Sequence, residues 1–70
     1  MSSRTPRLTA RQVIKQLKKA GFIEIGQTGS HLKLFNRETR RTAIIPVHSN
    51  KIIPLGTLKA IEKQANFQFK

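Results

Sequence analysis

The 70-residue sequence contains no cysteine, tryptophan or tyrosine, and only 3 acidic residues stand against 14 lysines and arginines. Without cysteine the chain forms no disulfide framework, no thiolate metal site and no thiol nucleophile, which fits a reducing compartment. No apolar run approaches the roughly 20 residues that span a bilayer, and residues 1–7 lack the apolar stretch of a signal peptide. We therefore expect a soluble, cytoplasmic protein with no membrane association.

The shortage of acidic side chains also excludes several kinds of catalytic site. Glu24, Glu38 and Glu62 fall in different parts of the chain. A glycosidase needs paired carboxylates, a two-metal nuclease needs several of them, and a serine triad needs an acid to orient its base. The sequence therefore predicts no metal site and no cofactor.

What the sequence has in excess is positive charge. The formal net charge is +11, and such a surface attracts polyanions, nucleic acid first. At this length a single small domain hides only about 60% of its unfolded surface, so the core is lean and a bound partner would add stability.

The apolar pattern predicts an α+β fold in the order helix, three antiparallel strands, helix. Residues 1–8 are predicted to form a flexible basic arm, and residues 9–70 a single domain. Thr9 and Gln12 have the spacing of a capping box at the start of the first helix, and Gly21 ends that helix.

The strands are predicted at residues 22–27, 31–35 and 41–47, joined by turns at residues 28–30 and 36–40. Pro54 is expected in the first turn of the last helix. Alternation in the middle strand places Leu32 and Leu34 toward the core, with His31 and Lys33 on the opposite face.

Two histidines, His31 and His48, are the side chains suited to proton transfer near neutral pH. RNA carries its own nucleophile, the 2′-hydroxyl, so its cleavage needs a base, an acid and cations that stabilise the phosphorane. Histidine and lysine supply these without a metal. The simpler alternatives are that His31 is a turn residue beside Gly29 and Ser30, and that His48 pins its loop to the sheet through a hydrogen bond.

Several basic residues are candidates for contacts with RNA phosphates. Gly56 and Thr57, at the start of the last helix, add exposed amides and the positive end of the helix dipole. The lysines in this set are Lys33, Lys51, Lys59 and Lys63, and Arg37, Arg40 and Arg41 are further candidates.

Four stretches of the chain carry a resemblance to a known family. They are residues 9–14 with 17–22, Gly29-Ser30-His31, Pro46-Val47-His48, and Gly56-Thr57-Leu58 with Ile61 and Gln64-Ala65. In this order and spacing, over about residues 8–67, the chain resembles the HicA family of bacterial and archaeal toxins.

The resemblance implies a messenger-RNA endonuclease with a fold like that of double-stranded-RNA-binding domains. It implies that His31, in the Gly-Ser-His motif, is catalytic and that a HicB antitoxin inhibits the protein by covering the active site. Ser49, Pro54 and Asn66 depart from the family pattern, but they affect loop and cap geometry and leave His31 unchanged.

Two other functions fit parts of the sequence. A non-catalytic module that binds structured RNA by shape and phosphates would share the fold and the charge. A DNA-binding regulator is disfavoured because no helix-turn-helix pair is present and the two predicted helices are separated by the sheet.

Overall fold

A computed structural model describes residues 6–48 and 50–70 of the chain. In these residues the elements are α1 at Ala10–Lys19, β1 at Phe22–Thr28, β2 at His31–Asn36, β3 at Thr42–Pro46 and α2 at Leu55–Ala65. The predicted α-β-β-β-α order is confirmed. Residues 1–5 of the predicted arm lie outside the described residues, and so does Ser49.

The first helix begins at the predicted capping box. The amide of Gln12 donates to the Thr9 hydroxyl at 3.4 Å, and the Gln12 side-chain oxygen accepts from the Thr9 amide at 2.9 Å. Both bonds satisfy amides that a helix N-terminus would otherwise leave free. After Ala20, the C-cap, Gly21 takes a φ of 104° and turns the chain into β1.

The three strands form one antiparallel sheet in the order β1-β2-β3. His31 lies opposite Thr28 on β1 and Pro46 on β3, while Lys33 lies opposite Gly26 and Ile44. The register shifts between Glu24 and Gly26, where β1 carries a bulge. Pro46 ends an edge strand, as the sequence predicts.

Both helices cover the same face of the sheet, and we call the opposite face the outer face. The buried sheet residues Leu32, Leu34, Ala43 and Ile45 form one cluster with helix residues that include Val13, Leu17, Leu58 and Ile61. His31 and Lys33 are exposed on the outer face. The alternation predicted for β2 is therefore confirmed.

Several boundaries differ from the sequence-based expectation. β1 and β2 each end one residue later than predicted, so Asn36 belongs to β2 and not to the turn, and β3 is one residue shorter at each end. Two further differences lie next to the helices. Leu8, expected in the flexible arm, instead lies in the core at 6% exposure, and its carbonyl accepts from the Ile53 amide at 2.8 Å. Pro54 is the N-cap of α2 and not a residue of its first turn. Leu8 is buried where the segment around Ile53 pairs with the residues before α1, a long-range contact that local patterns do not encode.

Candidate active site

His31 is positioned by the turn that joins β1 to β2. Gly29 has a φ of 58°, a left-handed conformation that glycine adopts without steric cost. The Gly29 carbonyl accepts from the Gln27 side chain at 3.0 Å, and the Ser30 carbonyl accepts from the Val47 amide at 2.6 Å. These bonds link the turn to β1 and to the residue that follows β3. They therefore fix the backbone at His31, the first residue of β2.

His31 and Lys33 share one open depression on the outer face, which is also lined by Gly26, Gln27, Thr28 and Ile44. Two positions along a strand separate their Cα atoms by about 7 Å. That spacing allows an imidazole and an ammonium group to contact the same phosphodiester. Gly26 leaves room above the sheet, since a Cβ built there meets no atom within 4 Å.

The lining of this depression contains no carboxylate. Glu24, the acidic residue of β1, instead forms an ion pair with Lys18 of α1 at 2.5 Å. Among residues 6–48 and 50–70 no three histidine, cysteine or acidic side chains are grouped as a metal site requires. The polar side-chain groups of this depression are therefore the His31 imidazole, the Lys33 ammonium group, the Thr28 hydroxyl and the Gln27 carboxamide.

His48 lies apart from this depression. It is exposed after the end of β3 and lines a separate depression with Arg11, Ile14 and Asn50. Its carbonyl accepts from the Lys51 amide at 3.3 Å. The hydrogen bond found in this loop is thus made by the main chain of His48 and not by its imidazole. The imidazoles of His31 and His48 line two different depressions.

The other candidate phosphate ligands are also distributed away from His31. Lys59 and Lys63 are exposed on α2, and α2 packs on the covered face of the sheet. Lys51 is exposed in the loop before α2. Gly56 is exposed and Thr57 half-buried at the start of α2, where Pro54 makes no side-chain cap bond. Arg37, Arg40 and Arg41 are exposed in the β2–β3 hairpin.

The structure also shows an apolar component that the sequence analysis did not predict. Ile23, Ile25 and Ile44 are 41%, 50% and 41% exposed. Ile23 and Ile44 lie opposite the outer-face residues Phe35 and Lys33, and the bulge places Ile25 beside Gly26, also opposite Lys33. The available signal was Gly26, because a glycine within a strand pattern is typical of a bulge.

Fold and site together define a class: a small, basic α-β-β-β-α domain with an exposed histidine at the first turn of the sheet. The sequence model of the HicA toxin of bacterial toxin–antitoxin systems matches residues 10–67, so the chain belongs to the HicA toxin family. It is therefore the toxin of a toxin–antitoxin system, and it has a cognate antitoxin as partner.

A sequence comparison with curated proteins gives no match. In residues 6–48 and 50–70, neither helix has the length and apolar character needed to cross a membrane.

Proposed function

We propose that this toxin is a metal-independent endoribonuclease that cleaves messenger RNA in the cytoplasm and so inhibits translation and growth. The observation that supports it most is the shared depression of His31 and Lys33 on the outer face. An exposed imidazole on a fixed backbone, beside an ammonium group, is suited to proton transfer at a phosphate.

The reaction uses the 2′-hydroxyl of the RNA as nucleophile. A base removes the 2′-hydroxyl proton, the 2′-oxygen attacks the adjacent phosphorus, and the bond from phosphorus to the 5′-oxygen breaks. The leaving oxygen takes a proton, and the products end in a 2′,3′-cyclic phosphate and a 5′-hydroxyl. His31 serves as the base or the acid, and Lys33 stabilises the charge that develops on the phosphorane.

The remaining candidates either position His31 or bind phosphates away from the cleaved bond. Gly29 and Ser30 fix the turn that presents His31. Lys51, Lys59, Lys63 and the first-turn amides at Gly56 and Thr57 bind phosphates away from the cleaved bond, because α2 lies on the opposite side of the sheet from His31. His48 is either a second acid–base group or a loop residue.

Inducible expression in bacteria tests the proposal. The native sequence should arrest growth and degrade messenger RNA, whereas His31→Ala should be tolerated, accumulate and keep a native circular dichroism spectrum. Lys33→Ala should give a weaker toxin with the same fold. Equal toxicity of the native protein and His31→Ala would remove His31 from the mechanism.

Purified protein separates this proposal from the non-catalytic RNA-binding module. An endoribonuclease cuts RNA in EDTA as well as in magnesium. Protein that shifts RNA in a gel but leaves it intact under both conditions would instead be the binding module.

A further inference from the structure

The two edges of the sheet differ in how they are protected. On β3, the outward amide of Ile44 donates to the Gln64 side chain of α2 at 3.3 Å, and Pro46 has no amide hydrogen. These are devices that block pairing with another strand. β1 is the opposite edge, seven residues long, and no described strand pairs along its outer side.

The register identifies the β1 backbone groups that face outward. The Ser30 carbonyl and the Asn36 amide form hydrogen bonds on the β3 side of β2, with Val47 and Arg41. Because successive residues of a strand direct their backbone groups to alternate sides, His31, Lys33 and Phe35 form their hydrogen bonds with β1. Their β1 partners are Thr28, Gly26 and Ile23. Phe22, Glu24 and Gln27 therefore direct their amides and carbonyls away from the sheet.

The two sides of this open edge differ in chemistry. On the outer face it is bordered by the exposed Ile23 and Ile25. On the covered face it is bordered by α1, whose Lys18 forms an ion pair with Glu24 of β1. Lys18 belongs to an exposed cationic stripe at helical spacing, made of Arg11, Lys15, Lys18 and Lys19.

We propose that β1 is a strand-addition site, where an extended segment of an acidic partner protein pairs as a fourth strand. Main-chain hydrogen bonds to Phe22, Glu24 and Gln27 would hold the segment. Its apolar side chains would pack beside Ile23 and Ile25, and its acidic ones would face the cationic stripe. The site thus selects a segment in which apolar and acidic residues alternate.

Other occupants fit this edge less well. RNA has no backbone of peptide groups to complete the ladder, and isoleucine offers no aromatic surface for base stacking. A second copy of the chain would bring two +11 molecules together. An acidic protein segment matches the amides, the apolar border and the charge at once, and the antitoxin is the partner class that the family supplies.

This proposal rests on membership of the toxin family and not on catalysis at His31. The proposed proton transfers use the imidazole of His31 and the ammonium group of Lys33, whereas strand addition uses the outward backbone amides and carbonyls of Phe22, Glu24 and Gln27. Failure of the cleavage experiments would therefore leave strand addition standing, and failure of the binding experiment below would leave the nuclease standing.

The test uses a synthetic, blocked seven-residue peptide of alternating valine and glutamate, matched to the length of β1, and the full chain labelled for NMR. Binding should slow hydrogen exchange at the amides of Phe22, Glu24 and Gln27. Gln27→Pro removes one outward amide without touching the β2 ladder, and we expect it to weaken binding about tenfold, the loss of roughly one hydrogen bond. Gln27→Ala is the matched control and should bind like the native protein.

A second variant keeps the proposal testable if Gln27→Pro does not fold. Ile25→Lys places a charge at the apolar border and should also weaken the peptide. Equal binding by Gln27→Pro and Gln27→Ala, or protection of amides outside β1, would overturn the proposal. It would be overturned as well if a seven-residue polyglutamate or an RNA oligonucleotide protected the same amides equally, or if the free protein dimerised through β1 in sedimentation.

Discussion

The buried side chain of Asn36 joins the end of α1 to the β2–β3 hairpin. Its Nδ2 donates to the Ala20 carbonyl at the end of α1, at 3.1 Å, and its Oδ1 accepts from the amides of Glu38 and Thr39 at 2.9 and 3.2 Å. Asn36 is 3% exposed, so water cannot replace these bonds. One amide therefore fixes the end of α1 against the β2–β3 hairpin.

Replacing Asn36 by alanine should lower the free energy of unfolding by about 2–3 kcal/mol, because it leaves buried polar groups without partners. Urea unfolding followed by circular dichroism measures this as a lower midpoint with an unchanged slope. Glu38→Ala removes an exposed side chain from the same hairpin and should stay within about 0.5 kcal/mol of the native protein. Similar stability of both variants would show that the Asn36 amide is not a structural link.

His48 differs from His31 in its surroundings, and this difference predicts a difference in kinetics. Because His48 lies in the depression beside Arg11, we expect His48→Gln to leave both limbs of the pH–rate profile of RNA cleavage in place. A profile that loses one limb in His48→Gln would instead identify His48 as the second acid–base group.

Whether a residue's role could be predicted depended on how local its cause is. The orientation of His31 follows from the period of a strand, so the sequence predicted it. The links made by Asn36 join residues 16 positions apart in one case, and no local pattern encodes that contact. The sequence placed Asn36 in a hairpin loop because residues 36–40 are polar, whereas Asn36 is the last residue of β2. Its bonds to Glu38 and Thr39 are of the kind that asparagine makes in turns, but nothing local indicates the bond to Ala20.

At the scale of elements, the first turn of α2 and the β1–β2 turn contain glycines with opposite requirements. Gly56 lies in helical backbone and Gly29 has a φ of 58°, and a Cβ built on either meets no atom within 4 Å. Backbone conformation alone therefore decides the effect of adding a side chain at each position.

Gly56→Ala should raise the free energy of unfolding by about 0.5–1 kcal/mol, since alanine favours the helix. Gly29→Ala should lower it by about 1 kcal/mol, because alanine is strained at a left-handed φ. Thermal unfolding of the two variants measures both changes. Shifts of the same sign would contradict this account of the two turns. If Gly56 must let a phosphate approach the helix amides, Gly56→Ala should also weaken RNA binding.

The elements themselves were predictable because their signals are local. The capping box, the strand alternation and the breakers around Gly21 and Pro46 each act within a few residues. The bulge at Ile25 and the return of the C-terminal tail were not predicted. Phe69 is buried in the core cluster, and its amide donates to the Glu62 side chain at 2.9 Å. The Lys70 amide donates to the Gln16 side chain of α1 at 3.0 Å. The bond between Lys70 and Gln16 spans 54 positions and forms only once the two helices are packed.

At the scale of the whole molecule, the charge and the histidine occupy different surfaces. In the described residues one ion pair is found, between Lys18 and Glu24, so most of the +11 charge faces solvent. The outer face carries His31 and Lys33, while α1 and α2 carry cations on the other side of the sheet. The sequence predicted a basic surface around one histidine, whereas the structure divides the basic residues between two faces. Strand alternation directs His31 and Lys33 to the outer face, and the helices that carry most of the other lysines pack on the opposite face.

In the proposed mechanism His31 promotes cleavage of RNA by its own 2′-hydroxyl, without a metal. The most direct test of this mechanism is the incubation of purified protein with a messenger RNA in EDTA, followed by mapping of the cut and chemical analysis of the new ends. We predict 2′,3′-cyclic phosphate ends, no cutting when the nucleotide before the mapped bond is replaced by its 2′-deoxy form, and a rate about 10²–10⁴-fold lower for His31→Ala. Cutting of the deoxy-substituted bond, or an unchanged rate in His31→Ala, would contradict the mechanism.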